Sequence, residues 1–183
     1  MNVPNSLSLL RIALIPCFVL LFYLPGAWTN IAAAAVFGLA ALTDWLDGFL
    51  ARRLQQSSKL GAFLDPVADK LLVAVVLILL VQRDPQVWLA LPIAVMIGRE
   101  ITISALREWM AELGARHRVA VSSVGKVKTT CQMIAIILLI VRDPYWGLPL
   151  YSLGVIALYV ATAATLWSMF VYLKAAWPEL RRH

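Results

Sequence analysis

Between Leu42 and Leu72 the chain reads LTDWLDGFLARRLQQSSKLGAFLDPVADKLL, and it holds Asp44, Asp47, Asp65 and Asp69. The first pair is three residues apart and the second four, spacings that set each pair on one face of a helix. Carboxylates gathered at one place repel, and some take up protons unless a cation is present. The ligands are all oxygen, with no histidine or cysteine near them in sequence. The expected ion is therefore hard, Mg²⁺, Mn²⁺ or Ca²⁺ rather than Zn²⁺. Four carboxylates suffice for two ions, and a two-ion site clamps the attacking and leaving oxygens of a phosphoryl displacement.

Residues with little or no side chain share this register. Gly48 follows Asp44 by four, Ala51 follows Asp47 by four, and Gly61 precedes Asp65 by four, which leaves room for a bulky ligand. Arg52 continues the first face and suits bidentate contact with a phosphate. One aspartate or one glycine at a helix end is ordinarily explained by solvation, ion pairing or close packing. Charge and space on one shared periodicity are not, and ionisable residues inside a membrane are functional by default.

The elements that must carry these residues are apolar. The chain has 183 residues, 62% of them hydrophobic, and a mean hydropathy of +0.82. A soluble domain is about 45–50% apolar, so the composition points to an integral membrane protein, with one domain over 1–183. Six runs, about 8–25, 30–52, 61–82, 86–109, 122–142 and 148–174, offer the roughly 20 mainly apolar residues that a spanning helix needs. Helix is the expected conformation, because backbone polar groups in lipid must be satisfied within the segment. The expected fold class is all-α, polytopic, with six transmembrane helices and a short interfacial segment, Pro4–Ser8, before the first. No positive charge precedes Arg11 and no small-x-small site follows the first apolar run, so that run reads as a retained helix rather than a signal peptide.

Cys17 and Cys131 lie inside apolar runs and read as free, buried thiols. The net charge of +6 does not suggest nucleic acid, because lysines and arginines sit at the ends of apolar segments rather than on one soluble face. One set of turns carries almost no charge. The other side holds Arg52, Arg53, Lys59, Arg107, Arg116, Arg118, Lys126, Lys128, Lys174, Arg181 and Arg182. Lysine and arginine mark the cytoplasmic side, so both termini and the aspartates are expected there. Trp28, Trp88, Tyr145 and Trp146 sit at the opposite ends, as an aromatic belt does.

The pattern Asp44-x-x-Asp47-Gly48-x-x-Ala51-Arg52, eight residues, then Gly61-x-x-x-Asp65-x-x-x-Asp69 resembles the signature of the CDP-alcohol phosphatidyltransferases at all eight positions. With residue frequencies near 5–10%, a chance match at a given start is on the order of 10⁻⁸. The resemblance implies displacement of CMP from a CDP-linked lipid by an alcohol. It implies Asp44, Asp47, Asp65 and Asp69 as ligands of two Mg²⁺ or Mn²⁺ ions, with Asp69 also the general base. It implies Gly48, Ala51, Arg52 and Gly61 as the lining of the CDP-diacylglycerol pocket. Members are often homodimers, which makes a second copy of this chain an implied partner.

The second half of the chain bears on the acceptor. Arg99 and Glu100 fall inside the fourth run, Arg107 lies two turns on, and Lys126 and Lys128 open the fifth. Cations held partly in a membrane want an anion, so a second basic cluster suggests an acceptor with its own phosphate. Arg99 is too deep for a simple anchor, with Glu100, Glu108 or a motif aspartate as candidate partner. Arg116, Arg118, Lys174, Arg181 and Arg182 read as positive-inside anchors and His117 as a surface residue. "GREITISALREWMAELG" and "SSVGKVKTTCQM" resemble the bacterial phosphatidylglycerophosphate synthases within the family. So does the opening "PNSLSLLRIALIP", with Ser8 where threonine is more usual. This implies glycerol 3-phosphate as acceptor, held by Arg107, Lys126, Lys128 and Arg99, and Asn5 and Arg11 beside the CDP-diacylglycerol pocket. It also implies a bacterial cytoplasmic membrane with the site facing the cytoplasm.

Other classes fit less well. A cation transporter could use four aspartates, but transporters bind near the bilayer midplane and often within repeats. A non-catalytic scaffold binding anionic lipid through its basic face leaves the aspartate–glycine register unexplained. A sister transferase with another acceptor, of the cardiolipin synthase type, is the nearest alternative.

Overall fold

The computed structural model describes residues 3–54, 59–113, 123–142 and 147–180, with side chains described within 6–26, 28–43, 67–68, 70–113, 129–142 and 147–177. Six helices account for almost all of the described residues: α1 (Val3–Tyr23), α2 (Ala27–Leu54), α3 (Lys59–Arg83), α4 (Val87–Glu112), α5 (Ser123–Val141) and α6 (Leu150–Leu180). No strand occurs among the described residues. Each expected span is matched by one helix. All but α5 outrun their apolar runs at one end or both, most at the start of α1 and the end of α6, because backbone hydrogen bonding continues past the point where side chains turn polar. Pro4–Ser8 is accordingly not a separate element. It forms the opening turns of α1, where a proline is tolerated because the first N–H groups have no helical acceptor.

Among the described residues, three helices are long and apolar enough to cross a membrane: α1 over Ser6–Tyr23, α4 over Val87–Glu112 and α6 over Leu150–Trp177. The apolar stretches Trp28–Thr43 of α2 and Thr129–Val141 of α5 are shorter. In sequence the first runs into Asp44 and the second follows Lys126 and Lys128. Leu20, Ile101, Ile156, Trp167 and Phe170 are all more than half exposed. Lipid tails solvate such a surface where water would not, so the molecule is a membrane protein.

The chain separates into two compact units. The first joins residues 1–80 to 136–151. Its α1 packs along α2, and the buried face of α1 runs Ser8, Arg11, Phe18 and Phe22. The rings of Phe18 and Phe22 lie 5.9 Å apart. On α2 the buried positions are Ala33, Ala34, Phe37 and Ala40, and the alanines let the backbones approach closely. The turn between the two helices needs Gly26, whose φ of 140° is open only to glycine without strain. Thr29 closes that turn by donating its hydroxyl hydrogen to the Gly26 carbonyl at 2.6 Å. Cys17 is free but exposed, and Cys131, in the second unit, is free and half-buried. The expected burial is corrected here, since an apolar run says that a thiol avoids water and not whether protein or lipid surrounds it.

The second unit joins residues 81–135 to 152–183. On α4 the buried face runs Leu89, Pro92, Ile93, Met96, Arg99, Ile103 and Met110. On α6 it runs Leu158, Ala161, Thr162, Thr165, Ser168, Tyr172 and Ala176, in steps of three or four residues apart from the adjacent Ala161 and Thr162. Ile103, Met110, Tyr172 and Ala176 form one apolar cluster, with Leu106, Trp109 and Met169 packed on it. Near the start of α4, the Tyr159 hydroxyl donates to the Trp88 carbonyl at 2.8 Å.

Candidate active site

The aspartates fall at the facing ends of α2 and α3, both helices belonging to the first unit for this stretch. Asp44 lies ten residues and Asp47 seven before Leu54, and Asp65 lies six and Asp69 ten after Lys59. At 1.5 Å per residue these are depths of about 15, 10, 9 and 15 Å. Residues 55–58, between the two helices, lie outside the described residues.

The described neighbours of the acids show which rows of these helices are buried. Ala33, Phe37 and Ala40 are buried on α2, and Asp44 and Asp47 continue that row by steps of four and three. Ala68, Leu72 and Val76 are buried on α3, and Asp65 precedes Ala68 by three. Asp69 is four after Asp65 and three before Leu72. In sequence the acids keep the three- and four-residue spacing of those rows. Gly48, Ala51 and Arg52 lie on the last turns of α2, and Gly61 on the first turn of α3. The side chains of all these positions, like that of Asn5 in α1, lie outside those described. Among the described residues no cluster of histidine, cysteine or acid side chains could hold a metal. The donor set of the box, four carboxylates without nitrogen or sulfur, suits Mg²⁺ or Mn²⁺.

Arg11 is 1% exposed and Ser8, one turn before it, is fully buried. A guanidinium so deeply buried requires compensating negative charge. The only acids within the sequence ranges of the first unit are Asp44, Asp47, Asp65, Asp69 and Asp143.

The basic residues of the second half divide by environment. Arg107 is exposed on α4. Lys126 and Lys128 lie in the first two turns of α5, with side chains outside those described. Arg116, His117 and Arg118 are outside the described residues altogether. Arg99 is only 8% exposed. One guanidinium nitrogen donates to Glu100 at 3.2 Å and another to the Ser168 hydroxyl at 2.8 Å, while the group stands 5.9 Å from the Tyr172 ring centre. Glu100 is thus its acidic partner among the three considered. Ser168 and Tyr172 escaped the reading of the sequence. The signal was there as Thr165-x-x-Ser168-x-x-x-Tyr172, a polar row in an apolar helix, but such rows often serve only helix packing.

Comparison with known proteins agrees with the signature. The model of the CDP-alcohol phosphatidyltransferase family matches residues 1–167. A Pseudomonas fluorescens protein named CDP-diacylglycerol–glycerol-3-phosphate 3-phosphatidyltransferase is 56% identical over 185 residues, covering 99% of this chain and 93% of its own. Proteins of the same name from Escherichia coli (strain K12) and Shigella flexneri serotype 5b (strain 8401) are each 55% identical over 179 residues, covering 98% of this chain and 97% of theirs. With the eight-position signature on α2 and α3 and a family match across most of its length, the chain belongs to the CDP-alcohol phosphatidyltransferase family.

Proposed function

We propose that the protein transfers the phosphatidyl group of CDP-diacylglycerol to sn-glycerol 3-phosphate, giving phosphatidylglycerophosphate and CMP. The observation that carries this is the eight-position aspartate signature on α2 and α3, in a chain 55–56% identical to proteins named for that reaction. The whole of 1–183 acts as one membrane domain, in a bacterial cytoplasmic membrane, with the box facing the cytoplasm and a second copy as partner.

The chemistry follows from the residues. A hydroxyl of glycerol 3-phosphate forms a bond to the phosphorus that bears diacylglycerol, and the bond from that phosphorus to the CMP oxygen breaks. Asp69 accepts the hydroxyl proton, which a carboxylate within hydrogen-bond reach can do. Asp44, Asp47, Asp65 and Asp69 would hold two Mg²⁺ or Mn²⁺ ions, which would offset the charge of the diphosphate and of the departing CMP. Gly48, Ala51 and Gly61 leave space for the nucleotide, with Asn5 beside it, and Arg52 binds a phosphate. Arg107, Lys126, Lys128 and Arg99 bind the phosphate of the acceptor.

The test is CMP release from purified protein in lipid, with CDP-diacylglycerol and Mg²⁺. Glycerol 3-phosphate is compared with glycerol, serine, inositol and phosphatidylglycerol. Release only with glycerol 3-phosphate, abolished by EDTA and restored by Mg²⁺ or Mn²⁺, is expected. Release with another acceptor instead would keep the aspartate box and overturn the roles of Arg107, Lys126 and Lys128. No release with any acceptor from folded protein would overturn the reading.

A further inference from the structure

Arg99 sits in the α4–α6 seam of the second unit, next to the apolar cluster of Ile103, Met110, Tyr172 and Ala176. Its guanidinium is held on two sides, by Glu100 and by Ser168, and lies beside the Tyr172 ring. Its Nε is buried without a hydrogen-bond partner. On α6, Thr165 is fully buried one turn before Ser168, and its hydroxyl also has no partner. Glu100 is 38% exposed, against 8% for Arg99.

Packing alone does not account for two buried donors on facing helices left without partners. Buried ion pairs are often replaced by apolar side chains with no loss of stability, and buried donors are normally satisfied. A planar guanidinium clamped at two nitrogens and left with a free N–H is instead suited to receiving an oxyanion. We propose that Ser168 and Tyr172 of α6 are positioning residues, which hold the Arg99 guanidinium so that its Nε–H is kept for a phosphate oxygen. The inference rests on the reading above, in which that phosphate belongs to the acceptor. Thr165, on the same face of α6, supplies a second donor of the kind that a phosphate oxygen accepts. No group is transferred at this seam. Its part is to orient the acceptor by its phosphate.

The test measures KM for glycerol 3-phosphate and for CDP-diacylglycerol separately, on purified full-length variants in lipid. Arg99→Lys keeps the charge and loses the planar fork, and raises the acceptor KM at least tenfold. Ser168→Ala raises it about fivefold, with KM for CDP-diacylglycerol and kcat within twofold of the parent. Ser168→Thr, which retains the hydroxyl, recovers most of that loss. Tyr172→Leu raises the acceptor KM, whereas Tyr172→Phe, which keeps the ring, does not. If Ser168→Ala fails to fold, the Tyr172 pair carries the same comparison. An Arg99→Lys effect without any effect of Ser168→Ala and Tyr172→Leu would overturn the positioning roles and leave the acceptor reading intact. No effect of Arg99→Lys on the acceptor KM would overturn Arg99 as a phosphate ligand, and the inference with it. Equal rises in both KM values, with a lowered Tm, would make the seam purely structural and also overturn the inference.

Discussion

In the proposed reaction Asp69 has two duties at once, ligand and proton acceptor, and this makes it the sharpest single residue to probe. Asn keeps the size and loses the charge and basicity. General-base contributions are typically about 10²–10⁴-fold, so Asp69→Asn is expected to lower kcat by at least that much. The melting temperature in detergent should stay within a few degrees, since the four clustered acids repel and losing one charge relieves the fold. An active Asp69→Asn enzyme would remove Asp69 from the proton transfer. The residue scale is also where the sequence was most informative. Asp44, Asp47, Asp65 and Asp69 announce themselves by spacing alone, because a helix turns local spacing into a shared face. Arg99 was legible as a deep cation, but its partners Ser168 and Tyr172 were not, since they lie 69 or more positions away. No local rule links residues at that separation.

At the scale of elements, the helices follow from hydrophobic runs, while the turns between them rest on single residues. Gly26 holds a φ of 140°, and a Cβ there would stand 3.1 Å from the Trp28 ring nitrogen. Gly26→Ala is therefore expected to cost about 1–3 kcal/mol, read as a lower Tm. Tyr159→Phe loses only the bond to the Trp88 carbonyl, worth about 0.5–1.5 kcal/mol. The glycine variant should melt lower than the tyrosine variant, and the reverse order would show that the α1–α2 turn tolerates the strain. Element ends were the least legible part of the fold. The sequence places the first span from residue 8, yet α1 starts at Val3. An apolar run marks where lipid lies, whereas a helix ends where its backbone groups find other partners.

For the whole molecule, the distribution of lysine and arginine sets the expected orientation, with both termini on the cytoplasmic side. In a Cys17→Ala, Cys131→Ala background, Gln86→Cys should react with a membrane-impermeant maleimide on intact cells stripped of outer barriers. Ser57→Cys should react only after lysis. The opposite pattern would put the aspartates outside and deny them a cytoplasmic nucleotide substrate. By itself the sequence determined the all-helical membrane class, the eight-position signature and hence the family. All of these depend on composition and on spacing within a helix or across one short turn. Only the tertiary structure decided which side chains of those helices face protein and which face lipid. It placed Ser8, Arg11, Thr165 and Ser168 inside and Cys17 outside. The reason is physical: leucine and lipid tails are equally apolar, so hydropathy cannot tell an inward row from an outward one, and only packing between distant segments separates them.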